Sequence, residues 1–116
     1  PSPSDRDRWA DSARRAIEAA TNTGDRARIV AARAVAERAL AAFPDDPLLL
    51  HYRGYALWRE ASVMLGTGDE RASRPQLQEA ERTLARSARG LALPETFALH
   101  ASVLGQLIGT SRNPLD

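Results

Sequence analysis

ARAVAERALAAFPDDPLLLHYRG, residues 32–54, is the stretch whose reading decides the fold. Its first half is an Ala-rich amphipathic helix that ends at Phe43. The run Pro44, Asp45, Asp46, Pro47 stops that helix and starts another. Asp46 can cap the new helix, and Pro47 takes its first position, where the missing N–H has no helical partner to lose. The stretch therefore reads as the junction between two helix–turn–helix units.

Working outward, Trp9, Ala13, Ala16, Ile17 and Ala20 recur at helical spacing before the junction. Residues 1–4 form a polar lead expected to fray, with Ser4 as the candidate N-cap and Asp5 and Asp7 suited to the first turn. Gly24 is the expected left-handed stop, and Asp25 opens the second helix. That helix turns Ile29, Ala32, Val35, Ala36, Ala39, Leu40 and Phe43 inward. After Pro47, one face carries Leu50, Gly54, Leu57, Ala61 and Leu65, flanked by Trp58. Residues 66–74, GTGDERASR, read as a mobile surface loop. Pro75 then starts a fourth helix with Leu77, Ala80, Leu84, Ala88 and Leu91 inward and Gly90 shortening its end. Pro94 marks the next boundary, Gly109 ends the fifth helix, and a tail with Asn113 and Pro114 is expected to be irregular. The expectation is five helices, 5–21, 25–43, 47–65, 75–91 and 95–108, in one all-α domain spanning 1–116.

Composition agrees with that class. Ala, the best helix former, supplies much of the apolar fraction, and its short side chain lets helices approach closely. Thin cores between helix pairs follow. Every basic residue is Arg, and the net charge is only +1. Asp11 with Arg14 and Arg15, Arg33 with Glu37, and Glu79 with Arg82 stand at helical ion-pair spacing. No cysteine is present, so thiol chemistry is excluded. No apolar run approaches membrane-span length, and no signal peptide is visible. Pro1 in place of an initial Met fits a trimmed leader and an artificial boundary equally well.

The order helix, turn, helix, Pro occurs twice and a half. On Ala32, Ala39, Leu40, Pro44 and Gly54 the chain resembles the tetratricopeptide repeat family. The first four fall at that family's small, Leu and terminal Pro positions, and Gly54 at the close-contact glycine of the next repeat. The Gly24–Asp25 turn is similar to the family's inter-helix turn. The resemblance implies a right-handed α-solenoid of antiparallel helix hairpins that binds protein or peptide partners along its first-helix surface. The chain departs from the pattern in several places. Fifty positions separate Pro44 from Pro94, against a repeat of about 34 residues. Arg53 stands where a core Leu is usual, and the last repeat has only its first helix. Within the family, Arg53–Gly54–Tyr55 and the run 105–109, GQLIG, resemble small exported bacterial members with degenerate repeats. That subgroup implies a periplasmic or secreted setting, although the residues fit a cytoplasmic one as well.

Few residues point to chemistry. His51 and His100 lie among apolar neighbours, and no nucleophile, paired-carboxylate or metal-ligand spacing accompanies them. Adjacent Asp45 and Asp46 do not share a helix face and read as a cap. Gly66 and Gly68 lack the Gly-Lys-Ser/Thr of a phosphate loop. Arg82, Arg86 and Arg89 share a face, but a near-neutral chain argues against nucleic acid. The reading is thus a non-enzymatic interaction scaffold, without catalytic residue, cofactor, metal or nucleic acid.

The candidate partner-binding surface is Leu48, Tyr52, Tyr55 and Arg59, continued by Val63, opposite Leu50 and Leu57 on the third helix. Two tyrosines and an arginine on one stripe have the composition of contact hot spots. Packing of the same tyrosines inside the fold is the open alternative. The fifth helix is apolar on two faces. Phe97, Ala101, Leu104 and Ile108 are expected to pack on the fourth helix. Leu99, Val103 and Leu107 are then left for self-association as a homodimer, the alternative function.

Overall fold

The computed structural model describes residues 2–111, which form five helices and no strand: α1 (Pro3–Thr23), α2 (Arg26–Ala42), α3 (Pro47–Gly66), α4 (Glu70–Gly90) and α5 (Pro94–Ser111). Each helix packs on the next in sequence. In addition α1 and α5 each touch α3, which makes α3 the central element. None of these helices is long and apolar enough to cross a membrane.

Local chemistry accounts for most boundaries. Gly24 closes α1 in the left-handed conformation at φ 66°, and the Asp25 carboxylate accepts from the Ala27 N–H to cap α2. Asp46 accepts from the Leu48 and Leu49 N–H groups, with Pro47 at the first position of α3. At the N-terminus Ser2, not Ser4, is the cap. Its hydroxyl and the Asp5 side chain form a reciprocal capping box, so helix replaces the expected frayed lead from Pro3 onward. At the other end Gly109 does not stop α5, which continues to Ser111. The irregular tail expected around Asn113 and Pro114 lies outside the described residues.

The long loop expected at 66–74 is a three-residue connection. Gly68, at φ 84°, lets its own N–H reach the Leu65 carbonyl (3.1 Å) while the Asp69 N–H reaches that of Met64 (2.9 Å). This Schellman closure ends α3 and delivers the chain directly into α4. Glu70, Arg71 and Ala72 are good helix formers. Pro75 is the sixth helical residue rather than the first, and it forgoes only the bond to the Arg71 carbonyl.

The core is thin and Ala-rich. Ala13, Ala32, Ala36, Ala39, Ala56, Ala61 and Ala80 are buried beside Ile17, Ile29, Leu49, Leu57, Leu77 and Leu84. Val35, Leu40, Phe43 and Leu65 are only half-buried, and Leu91 lies exposed just past α4. Two side chains absent from the expected core hold α3 in register. Glu60 is 2% exposed, and its carboxylate accepts from Arg33 Nη1 (2.6 Å), Arg26 Nε (3.2 Å) and Gln76 Nε2 (3.0 Å). Arg53 donates to Glu37 and Glu79, both at 2.9 Å, and to the Thr83 hydroxyl at 2.7 Å. Each set joins α2, α3 and α4. The expected pairs of Asp11 with Arg14 and Arg15, of Arg33 with Glu37, and of Glu79 with Arg82 also form.

Gly54 is a close-approach site, but its neighbour is α4 rather than α2. A Cβ there would lie 2.5 Å from Leu84 Cδ2 and 2.6 Å from Leu84 Cγ. At Gly90 an added Cβ would meet the Pro47 ring at 2.5 Å, so this residue permits contact between the end of α4 and the start of α3.

The two faces of α5 are exchanged relative to the sequence expectation. Leu99 and Val103 are buried and Leu107 half-buried, all packed with Leu57, Leu77 and Leu84. Phe97, Ala101, Leu104 and Ile108 lie on the exposed side. The residues assigned to self-association are therefore core residues. Thr96, fully buried, belongs to the same inward face and is anchored to α3.

Gly54→Ala should lower the thermal midpoint. Overpacking against buried Leu84 costs about 1–3 kcal/mol, which outweighs the gain of up to about 1 kcal/mol in helix propensity. A raised midpoint would mean that Leu84 swings aside freely. Glu60→Ala should cost about 3–5 kcal/mol in denaturant unfolding, the range for removing one partner of a buried charge pair. A loss below about 1 kcal/mol, the size of a surface ion pair, would remove Glu60 from the core.

Candidate functional site

Tyr52 and Tyr55 are three positions apart on α3, so both rings emerge on one side of the central helix. On that side α1 and α5 flank α3, and their backbones stay apart, with no Cα of one within 8 Å of a Cα of the other. The gap is a cleft of about 230 Å³. Its floor is His51, Tyr52 and Tyr55; Arg14, Ile17 and Glu18 come from α1, Glu95 and Leu99 from α5.

The candidate stripe is thereby divided. Tyr52 and Tyr55 line the cleft, while Leu48 and Arg59 do not. Leu48 packs beside Trp9 and Phe43 on the cluster of Ala10, Ala39 and Leu49. The Arg59 guanidinium stacks over the Trp58 ring, 5.3 Å from its centroid. Val63 packs on the cluster around Ile17 and Ile29. Both tyrosines are half-buried and also touch core residues, so each combines packing with exposure.

His51 is 8% exposed and stands edge-on to Tyr52, with ring centroids 5.2 Å apart. Its Nδ1 shares a hydrogen bond of 2.8 Å with the hydroxyl of buried Thr96. Burial pushes the imidazole below its ordinary pKa, against the opposing pull of Glu95. Burial also pushes the Tyr52 phenol upward. On the α1 wall Arg14 donates to Asp11 (2.7 Å) and Glu18 (3.2 Å), and these bonds hold the guanidinium above its usual pKa. The floor is thus aromatic, with burial favouring the neutral forms of His51 and Tyr52, and the Arg and Glu side chains stand on the walls. Among the described residues no three His, Asp or Glu side chains converge as metal ligands. The histidine, discounted in the sequence for lack of companions, was the missed member; its helical spacing of four from Tyr55 was the available signal.

No protein-family model, curated protein or solved structure matches the chain.

Because folding lowers the His51 pKa, the unfolded chain binds more protons below the ordinary value of about 6.5. Stability contributed by neutral His51 is complete above that pH and declines as pH falls toward the depressed folded value. Denaturant unfolding at pH 7.5 and 5.5 should show lower stability at the acid value, and His51→Gln should reduce the difference. An unchanged pH dependence in that variant would dismiss His51 as its source.

Proposed function

We propose that this chain is a non-enzymatic interaction module built from degenerate tetratricopeptide-like repeats. A peptide or protein segment binds across the α1, α3 and α5 surface, in the cleft floored by Tyr52 and Tyr55. The observation that carries this reading is the cleft itself: two half-exposed tyrosines on the central helix, between two helices whose backbones stay apart. Tyrosine contributes a large, stiff contact area with a polar tip and is enriched where interfaces gain most of their affinity. The arrangement of helices supports the repeat reading, because α1, α3 and α5, the first helices of successive units, share one surface.

The other reading, self-association, is favoured by the exposed side of α5, where Phe97 is 51% and Leu104 43% exposed. Light scattering over a wide concentration range separates the two, since a monomer that binds peptide meets only the first.

A random peptide library displayed on phage, selected on the folded protein, tests the first reading. Selected peptides should lose about 2 kcal/mol or more of binding to Tyr55→Ala, the size of a hot spot, on protein whose helical circular dichroism is retained. Equal binding by the variant would place the peptide elsewhere and overturn the assignment.

A further inference from the structure

The cleft has a chemical preference that follows from its unspent groups, given the binding function proposed above. Its volume, about 230 Å³, falls below the roughly 300–1,000 Å³ of sites that enclose a small molecule or cofactor. It suits one long side chain delivered by a larger partner.

The charges around it are unbalanced. Arg14 is the only cation among the lining residues, and it is already shared between Asp11 and Glu18. Glu95, on the α5 wall, is exposed, and its carboxylate has no hydrogen-bond or ion-pair partner among the described residues. Its place in the first turn of α5 suits the helix dipole but leaves its oxygens open to a guest. Between the walls, Ile17 and Leu99 offer aliphatic surface, and the tyrosines offer ring faces that attract cations. His51 adds a buried polar group. Thr96 occupies its Nδ1, and Nε2 has no hydrogen-bond partner among the described residues on a ring that lines the cleft. When Nδ1 donates to Thr96, Nε2 is an acceptor for a guest N–H.

We propose that the cleft receives a basic side chain, arginine or lysine, presented by a peptide or protein partner, with its stem on Ile17, Leu99 and the tyrosine rings and its charged head toward Glu18 and Glu95. An acidic guest would meet the unpaired carboxylate of Glu95, and Glu18 beside an Arg14 that it already shares with Asp11. A purely apolar guest would leave Glu95 and His51 Nε2 desolvated without a partner.

The phage library distinguishes this proposal from the function on which it rests. Peptides that are sensitive to Tyr55→Ala should be enriched in Arg or Lys at one position relative to the unselected library. Synthetic versions should bind the double variant Glu18→Gln, Glu95→Gln about tenfold or more weakly, and Glu95→Lys more weakly still. Both positions are exposed, so these variants lose only a surface ion pair or a helix-end charge and should keep the helical circular dichroism of the wild type. Affinity should also fall as salt is raised. Tyr55-sensitive peptides that lack a basic residue, or that ignore both glutamate changes, would overturn the basic-side-chain proposal and leave the binding function standing. Failure to select any peptide above bare support would overturn both.

Discussion

The buried carboxylate of Glu60 is the constraint on which the rest of this fold depends. A carboxylate taken out of water must be met by donors, and here Arg26, Arg33 and Gln76 come from the two helices on either side of α3. Desolvation offsets much of the attraction in such a cluster, so its main effect lies in what it forbids. Sliding α2 or α4 along α3 would strand the charge. Small side chains on α2 and α4 supply little of that selectivity, because Ala32, Ala36 and Ala80 offer shallow ridges that tolerate neighbouring registers. Arg53 repeats the device at another level of α3 through Glu37, Glu79 and Thr83.

Much of the helix layout was legible because its boundaries are local events. Gly24 can adopt the left-handed conformation, and Asp46 with Pro47 can start a helix, whatever lies around them. The start of α4 was not legible for a reason that is also local. Gly68 alone was enough to turn the chain, and the Pro at position 75 mimicked a helix start that was already behind it. The inward face of α5 belongs to another category. Phe97, Leu104 and Ile108 on one side and Leu99, Val103 and Leu107 on the other are equally apolar, so periodicity cannot choose between them. The observed face brings Leu99, Val103 and Leu107 onto Leu57, Leu77 and Leu84 and also pairs Thr96 with buried His51, a polar contact that the opposite face would leave unmade.

The candidate site divides along the same line. Tyr52 and Tyr55 were readable because their spacing places them together on one helix. The cleft they floor was not, since it exists through the separation of the α1 and α5 backbones, and a gap leaves no pattern in any one segment. His51 looked like a solitary core histidine while its partner, Thr96, lay more than forty residues away. Arg59 looked like part of the stripe until Trp58, its neighbour in sequence, captured its guanidinium.

These two aspects of α3 are connected. The ionic clusters on its α2 and α4 sides fix its rotation, and with it the direction of the tyrosines on the side that α1 and α5 leave open. Tyr55 is further braced edge-on by Trp58, with centroids 5.9 Å apart, and Tyr52 by the His51 ring. Side chains already ordered in the free protein lose little entropy on contact, so more of each interaction reaches the net affinity. The α5 wall is tied to α3 over a short stretch that includes the His51–Thr96 bond. One buried histidine therefore serves the floor of the cleft and the position of its wall together. The width of the opening is consequently governed from inside the core, where polar pairs set register among side chains too small to set it themselves.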